Sequence, residues 1–234
     1  MHYIIILAAG IGARCGHSIP KQFALIGGKP ILLHTIRKFV DKFPDMQVIL
    51  VLHPDHYHYW KQINDTEEFL PTLKVVSGGR ERFHSVQLAL ESISCDDTAL
   101  IGIHDAVRPF VSEATISNAY EMAEHSGTSV PVIDMTNPIR SVEGQGNRAL
   151  DRQRHKVVQT PQVFKAGILK KAYKQPFQSH FYDDGTVVEH AGFDIHLSKG
   201  NYENIKITHP QDLYIAEAIY NNLNYGSLPD QGMS

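Results

Sequence analysis

A chain of 234 residues, 42% hydrophobic and 20% charged with a formal net charge of −3, has the balance of a globular protein long enough for one sizeable core. It holds no run of about 18 apolar residues, which argues against a helical membrane span, and no basic tract, which argues against a nucleic-acid coat. Its two cysteines, Cys15 and Cys95, stand at no metal-ligand spacing, so free thiols in a reducing cytoplasm are expected.

Strand-like and helix-like segments alternate from the start. Tyr3 to Ala9 is a continuous apolar run, the pattern of a strand buried on both faces; it has no basic residues before it and does not read as a secretory leader. Pro30 precedes Ile31-Leu32-Leu33-His34-Thr35-Ile36, where a first-turn proline is tolerated in a helix. Gln47 to His53 predicts a second strand stopped by Pro54, with a helix over Tyr57 to Phe69 after it. The group His53-Pro54-Asp55-His56-Tyr57-His58 lacks the HExxH spacing of a zinc site and is expected to be a solvated loop. Leu73 to Ser77 predicts a third strand. After Gly78-Gly79, Val86, Ala89, Leu90 and Ile93 recur at helical spacing.

Thr98 to Ile103 predicts a fourth strand ending in His104-Asp105. Ser112 is placed to cap a helix through Ala123, and Thr128 to Ile133 is a fifth strand. This order implies an α/β fold with a doubly wound, mostly parallel sheet and helices on both faces. Between 137 and 158 the rhythm breaks into a polar stretch containing Gly144-Gln145-Gly146-Asn147, expected to be a protruding hairpin arm. A helix near Lys165 to Tyr173, a short strand at Asp194 to Ser198 and a helix after Pro210 complete a single expected domain over 1–225, with a frayed tail over 226–234.

The chemistry concentrates after the first strand, in Leu7-Ala8-Ala9-Gly10-Ile11-Gly12-Ala13-Arg14 and Pro20-Lys21-Gln22-Phe23. Small residues there let the backbone turn sharply and approach a ligand, and exposed amides at the carboxyl edge of a parallel sheet can cradle phosphate. A dinucleotide fingerprint fails, because its third glycine falls at Cys15 and the second strand ends in Leu52-His53-Pro54 with no acid for a ribose. The ATP-binding signature fails for want of Gly-Lys-Ser/Thr. Glycines with two cations, Arg14 and Lys21, suit a triphosphate whose α-phosphorus is attacked.

The pattern LAAGxGxRxxxxxPKQF resembles the nucleotidyltransferases. Gly78-Gly79-Arg80-Glu81-Arg82-Phe83-His84-Ser85-Val86, His104-Asp105-Ala106-Val107-Arg108-Pro109, Thr160-Pro161-Gln162 and Asn204-Ile205-Lys206-Ile207-Thr208 resemble one branch of them, the 2-C-methyl-D-erythritol 4-phosphate cytidylyltransferases. The resemblance spans about Tyr3 to Tyr220. It implies a Rossmann-like nucleotidyltransferase fold and transfer of CMP from CTP to 2-C-methyl-D-erythritol 4-phosphate. It implies Arg14, Lys21 and Lys206 at the reacting phosphates, and a CTP site from Ala8, Ala9, Gly10, Gly12, Gly78, Gly79, Arg82 and Ser85.

Closing the fourth strand beside a triphosphate loop, Asp105 is a candidate to hold Mg²⁺ or a substrate hydroxyl, and Arg108 is a candidate partner for phosphate or for Asp105 itself; with Arg152 and Thr160, which the resemblance implies, they make the expected acceptor site. Arg152 would act in a neighbouring subunit's site, through a homodimer made by the 137–158 arm. Two stretches depart from the family pattern. Asn137-Pro138-Ile139-Arg140 stands where many members have Asp-Thr before a basic residue, leaving Thr136 as the nearby hydroxyl, and Tyr182-Asp183-Asp184 stands where many have Thr-Asp-Glu. Both are expected on the acceptor side, which keeps a D-ribitol 5-phosphate cytidylyltransferase as the alternative. A nicotinamide-dependent oxidoreductase is the reading from another class.

Overall fold

The computed structural model describes residues 1–10, 19–67 and 73–225. In chain order the strands are β1 (His2–Ala8), β2 (Leu25–Ile26), β3 (Lys29–Pro30), β4 (Gln47–Leu52), β5 (Lys74–Ser77), β6 (Leu100–Asp105), β7 (Thr128–Asp134), β8 (Ile139–Glu143), β9 (Gly146–Leu150), β10 (Lys156–Val158), β11 (Gln162–Lys165) and β12 (Leu197–Lys199). The helices are α1 (Ile31–Lys42), α2 (Tyr57–Asn64), α3 (Arg82–Glu91), α4 (Glu113–Ser126), α5 (Ala166–Ala172), α6 (Asp184–His190) and α7 (Pro210–Tyr225).

The main sheet is ordered β10-β7-β11-β6-β1-β4-β5, with β12 beside β7. Strands β6, β1, β4 and β5 are parallel neighbours, so Ala8, Leu52, Ser77 and Asp105 all end on one edge. Strand β1 shows why the sheet is wound on both faces. Ile4, Ile6 and Ala8 pack with Leu32, Ile36 and Phe39 of α1 and with Ile116 and Tyr120 of α4. Tyr3 and Ile5 pack on the opposite face with Phe83, Val86 and Leu90 of α3 and with Leu169 of α5. Alternate side chains of one strand point to opposite faces, so a strand covered on both sides reads as an unbroken apolar run. A third apolar cluster, Ile26, Ile31, Val107, Phe110, Ile207 and Ala216, seats α7 beside the end of β6.

Three expectations need correction. Strand β11, absent from the sequence reading, lies antiparallel between β6 and β7. The arm is narrower than 137–158: β8 and β9 form the hairpin, but Lys156–Val158 is β10 and pairs with β7 in the main sheet. Residues 57–69 do not form one helix as described; α2 ends at Asn64, and Phe69 lies outside the described residues.

Candidate active site

The carboxyl edge of β1, β5 and β6 opens onto a cavity of about 690 Å³. Backbone at Ala8, Ala9, Gly10 and Gly79 forms one wall, with Ser85 behind it. Gly78 is forced to be glycine: an added Cβ would stand 2.3 Å from Cβ of Ala9, so the two turns touch only because both residues are small. The Gly79 amide donates to Ser85 Oγ at 3.0 Å, which fixes the turn to the first helical turn of α3. Gly12 and Arg14 lie outside the described residues. The cavity wall carries Lys21, Arg80, Arg82 and Lys206 against Glu81 and Asp105, a cationic excess suited to a polyanion.

Asp105 is the electrostatic centre. Lys206 Nζ stands 3.0 Å from its Oδ2, Arg108 Nε 3.3 Å from the same oxygen, and Arg82 Nε 3.9 Å from Oδ1. Burial opposes ionisation of Asp105, but the three cations outweigh it and hold its carboxyl well below the usual range. Arg108 also donates to the Asn204 carbonyl at 2.9 Å. Asn204 is fully buried and donates to the Thr160 carbonyl at 2.9 Å. The asparagine of the Asn-Ile-Lys-Ile-Thr segment therefore ties down the backbone that aims Lys206.

Arg82 is neither a surface arginine nor an uncommitted phosphate ligand. Its guanidinium forms a fork with Asp184, at 2.8 and 2.6 Å. Asp184 is fully buried and accepts a further 2.6 Å hydrogen bond from the Tyr173 hydroxyl. Asp183, beside it, caps α6 through Thr186 N and accepts from Gln162.

Thr160, expected at the acceptor phosphate, is buried and hydrogen-bonded to His104 and Asp105. His104 Nε2 lies 3.1 Å from the Arg108 carbonyl; a carbonyl only accepts, so Nε2 carries the proton and Nδ1 accepts from the Thr160 hydroxyl at 2.9 Å. The same hydroxyl oxygen accepts from the Asp105 amide at 3.2 Å. Thr160 is buried and is not among the residues that line the cavity. Burial pushes the His104 imidazole down to about 4, against the pull of the Arg108 carbonyl and Asp105.

Arg152 does not line this cavity in its own chain. It lies in a separate groove of about 490 Å³ with Asp134, Thr136 and Lys156, and donates to the Thr136 carbonyl at 2.8 Å. Of the two departures, Pro138 is exposed and Tyr182 is 81% exposed. Neither side chain is among those that line the main cavity.

A profile of the 2-C-methyl-D-erythritol 4-phosphate cytidylyltransferase family matches residues 2–222. The chain is 43% identical over 216 residues to the Bacteroides thetaiotaomicron protein of that name, covering 92% of this chain and 98% of the relative. The chain belongs to this family.

Among solved structures, the Francisella tularensis cytidylyltransferase is 30% identical with a TM-score of 0.73, covering 93% of this chain and 98% of that one. A bifunctional protein from Campylobacter jejuni, 26% identical with a TM-score of 0.76, matches 92% of this chain, which spans only 54% of it. Against the cytidylyltransferase family's motifs, the structure adds residues that the sequence reading passed over. Gln22 bridges Ala8, Gly10 and His56, and Tyr173 and Asp184 hold Arg82. The histidine group is solvated only in part: Pro54, Asp55, Tyr57 and His58 are exposed, whereas His56 is buried and His53 lines the cavity. No group of three or more metal-ligating side chains occurs among the described residues.

Proposed function

We propose that the protein transfers CMP from CTP to 2-C-methyl-D-erythritol 4-phosphate, releasing pyrophosphate and 4-diphosphocytidyl-2-C-methyl-D-erythritol. The observation that carries this reading is Asp105 caged by Lys206, Arg108 and Arg82 in the wall of a cationic cavity lined also by Gly10 and Gly79. The acceptor phosphate is largely dianionic at neutral pH, its second pKa being about 6, so attack needs no general base. A phosphate oxygen of the acceptor forms a bond to the α-phosphorus of CTP. The bond from that phosphorus to the β-phosphate oxygen breaks, and pyrophosphate leaves with the electron pair. Lys21, Lys206 and Arg14 offset the charge that builds on the transferring group.

Mg²⁺ fits this site. Lys206 and Arg108 crowd Oδ2 of Asp105, whereas Oδ1 has Arg82 at 3.9 Å, which leaves an oxygen for an ion that takes one or two carboxylates and completes its shell from phosphate and water. When bound, the ion supplies further neutralisation of the triphosphate. The chain's own residues orient that carboxylate, Arg82 from one side and Lys206 with Arg108 from the other.

The hairpin Ile139–Leu150 is the contact through which two copies form a homodimer, and Arg152 serves the acceptor site of the neighbour. No helix among the described residues is long and apolar enough to cross a membrane; the free Cys95 thiol supports a cytoplasmic site of action.

Pyrophosphate release with CTP and Mg²⁺, comparing methylerythritol 4-phosphate with ribitol 5-phosphate, tests the reaction. Turnover with methylerythritol 4-phosphate is expected. Turnover with ribitol phosphate alone would overturn the acceptor while leaving cytidylyl transfer intact.

A further inference from the structure

The histidine group and the Lys21–Phe23 turn meet beside the glycine-rich backbone, and Lys21, Gln22 and His53 all line the cavity. Gln22 is only 2% exposed. Its Nε2 donates to the Ala8 carbonyl at 2.8 Å and the Gly10 carbonyl at 3.4 Å, and stands 3.2 Å from His56 Nδ1. An amide nitrogen has no lone pair to offer, so Nδ1 accepts and the proton of His56 sits on Nε2. Ala8 and Gly10 bracket the backbone turn on the cavity wall.

We propose that Gln22 and His56 are positioning residues for the nucleotide turn: neutral His56 orients the Gln22 amide, and that amide fixes the Ala8–Gly10 backbone against which CTP lies. The inference rests on the cytidylyltransferase reading above. A primary amide presents an NH₂ on one side and a carbonyl on the other; its two hydrogens serve the Ala8 carbonyl and His56 Nδ1, and the Gly10 carbonyl at 3.4 Å shares one of them. A protonated His56 would present N–H to this NH₂, donor against donor. Turning the amide to satisfy His56 would set its oxygen against the Ala8 and Gly10 carbonyls. Either outcome loosens the turn.

Among the described residues, three rings stand against His56. The His53 ring lies at a centroid distance of 5.4 Å, Phe23 covers it at 6.0 Å, and Tyr59 reaches it from α2 at 6.5 Å. Burial first, then His53 and His58, hold His56 below the ordinary histidine range against the pull of Asp55. It is therefore neutral at pH 7 and becomes charged only on acidification.

The test is CTP affinity with Mg²⁺, by calorimetric titration at pH 7.5 and pH 5.5, for the wild type, Gln22→Glu and His56→Gln. Gln22→Glu replaces the donor with an acceptor facing two carbonyls and is expected to weaken CTP about tenfold at pH 7.5. His56→Gln offers a carbonyl oxygen at either pH. Its ratio of Kd at pH 5.5 to Kd at pH 7.5 is expected to fall several-fold below the wild-type ratio, since protonation of CTP itself is common to both. Wild-type affinity in Gln22→Glu, or equal ratios in His56→Gln and wild type at an acidic pH where NMR shows the wild-type His56 imidazole protonated, would overturn the proposal. Should Gln22→Glu fail to fold, Gln22→Leu removes the donors without adding charge and gives the same contrast. A wild-type protein that does not bind CTP would overturn the functional reading itself, a separate outcome.

Discussion

Lys206 and Asp105 illustrate how far residue identity carries. A lysine and an aspartate in separate motifs predict a charged site, and the structure sets them 3.0 Å apart. Lys206→Met is expected to lower kcat by about 10²–10³-fold, the scale of losing one preorganised charge in a transition state, while Lys206→Arg retains part of the rate; steady-state kinetics with both substrates checks this. In the sequence Asp184 stands within the Tyr182-Asp183-Asp184 departure, expected on the acceptor side. Its partner Arg82 is 102 positions away, so no local pattern reveals that it is a buried counter-ion. Asp184→Ala is expected to destabilise the protein by about 3 kcal/mol, at the low end for breaking a buried pair because the Arg82 side chain keeps 29% exposure. Urea unfolding measures it, and a change below about 0.5 kcal/mol would show that the fork contributes little. Gly78→Ala brings two Cβ atoms to 2.3 Å and is expected both to destabilise by about 1–3 kcal/mol and to weaken CTP binding.

Among the elements, those with a strong period or a strong cap were legible. Ser112 accepts from Thr115 N at 3.1 Å and starts α4, and Gly127, at φ 87°, ends it in the left-handed region. Ser112→Ala is expected to lower stability by about 1 kcal/mol, read as a reduced urea midpoint at unchanged slope. Strand β11 escaped because four residues, one of them a buried glutamine, offer neither alternation nor a long apolar run. The sequence reading placed a helix start at Lys165, and α5 does begin at Ala166, but the strand just before it is fixed only by pairing with β6 and β7. Likewise β10 was absorbed into the arm, since Lys156-Val157-Val158 looks no different from hairpin sequence until β7 pairs with it.

Across the whole molecule, acid sensitivity follows from the buried ionisable groups. His104 is neutral in the fold with its imidazole near pH 4, whereas in the unfolded chain it titrates near 6.5. Between those values the unfolded state binds more protons, so stability falls as pH drops from about 6.5 to about 4. Asp105, ionised in the fold below the usual carboxylate range, adds a further loss as pH falls through the unfolded carboxylate pKa near 4. Urea unfolding at pH 7.5, 5.5 and 4.5 should show a steady decline; a flat profile to pH 4.5 would contradict the neutral buried His104. The proposed exchange of arms predicts that mixing Arg152→Ala subunits with Lys206→Met subunits restores part of the activity, because one site of each mixed dimer then holds both residues. Persistent inactivity after subunit exchange would place Arg152 outside the neighbour's site.

The sequence by itself determined the alternation of strands and helices, the two-faced burial of β1, the cap of α4, the glycine turns and the family. These are properties of neighbouring residues: period, propensity and motif spacing. Only the tertiary structure decided that Thr160 is buried, that Arg82 is held by Asp184, that β11 runs against its neighbours, and that Gln22 meets His56. Each of these depends on which distant groups satisfy a buried polar atom, and that pairing exists only once the sheet has brought the segments together.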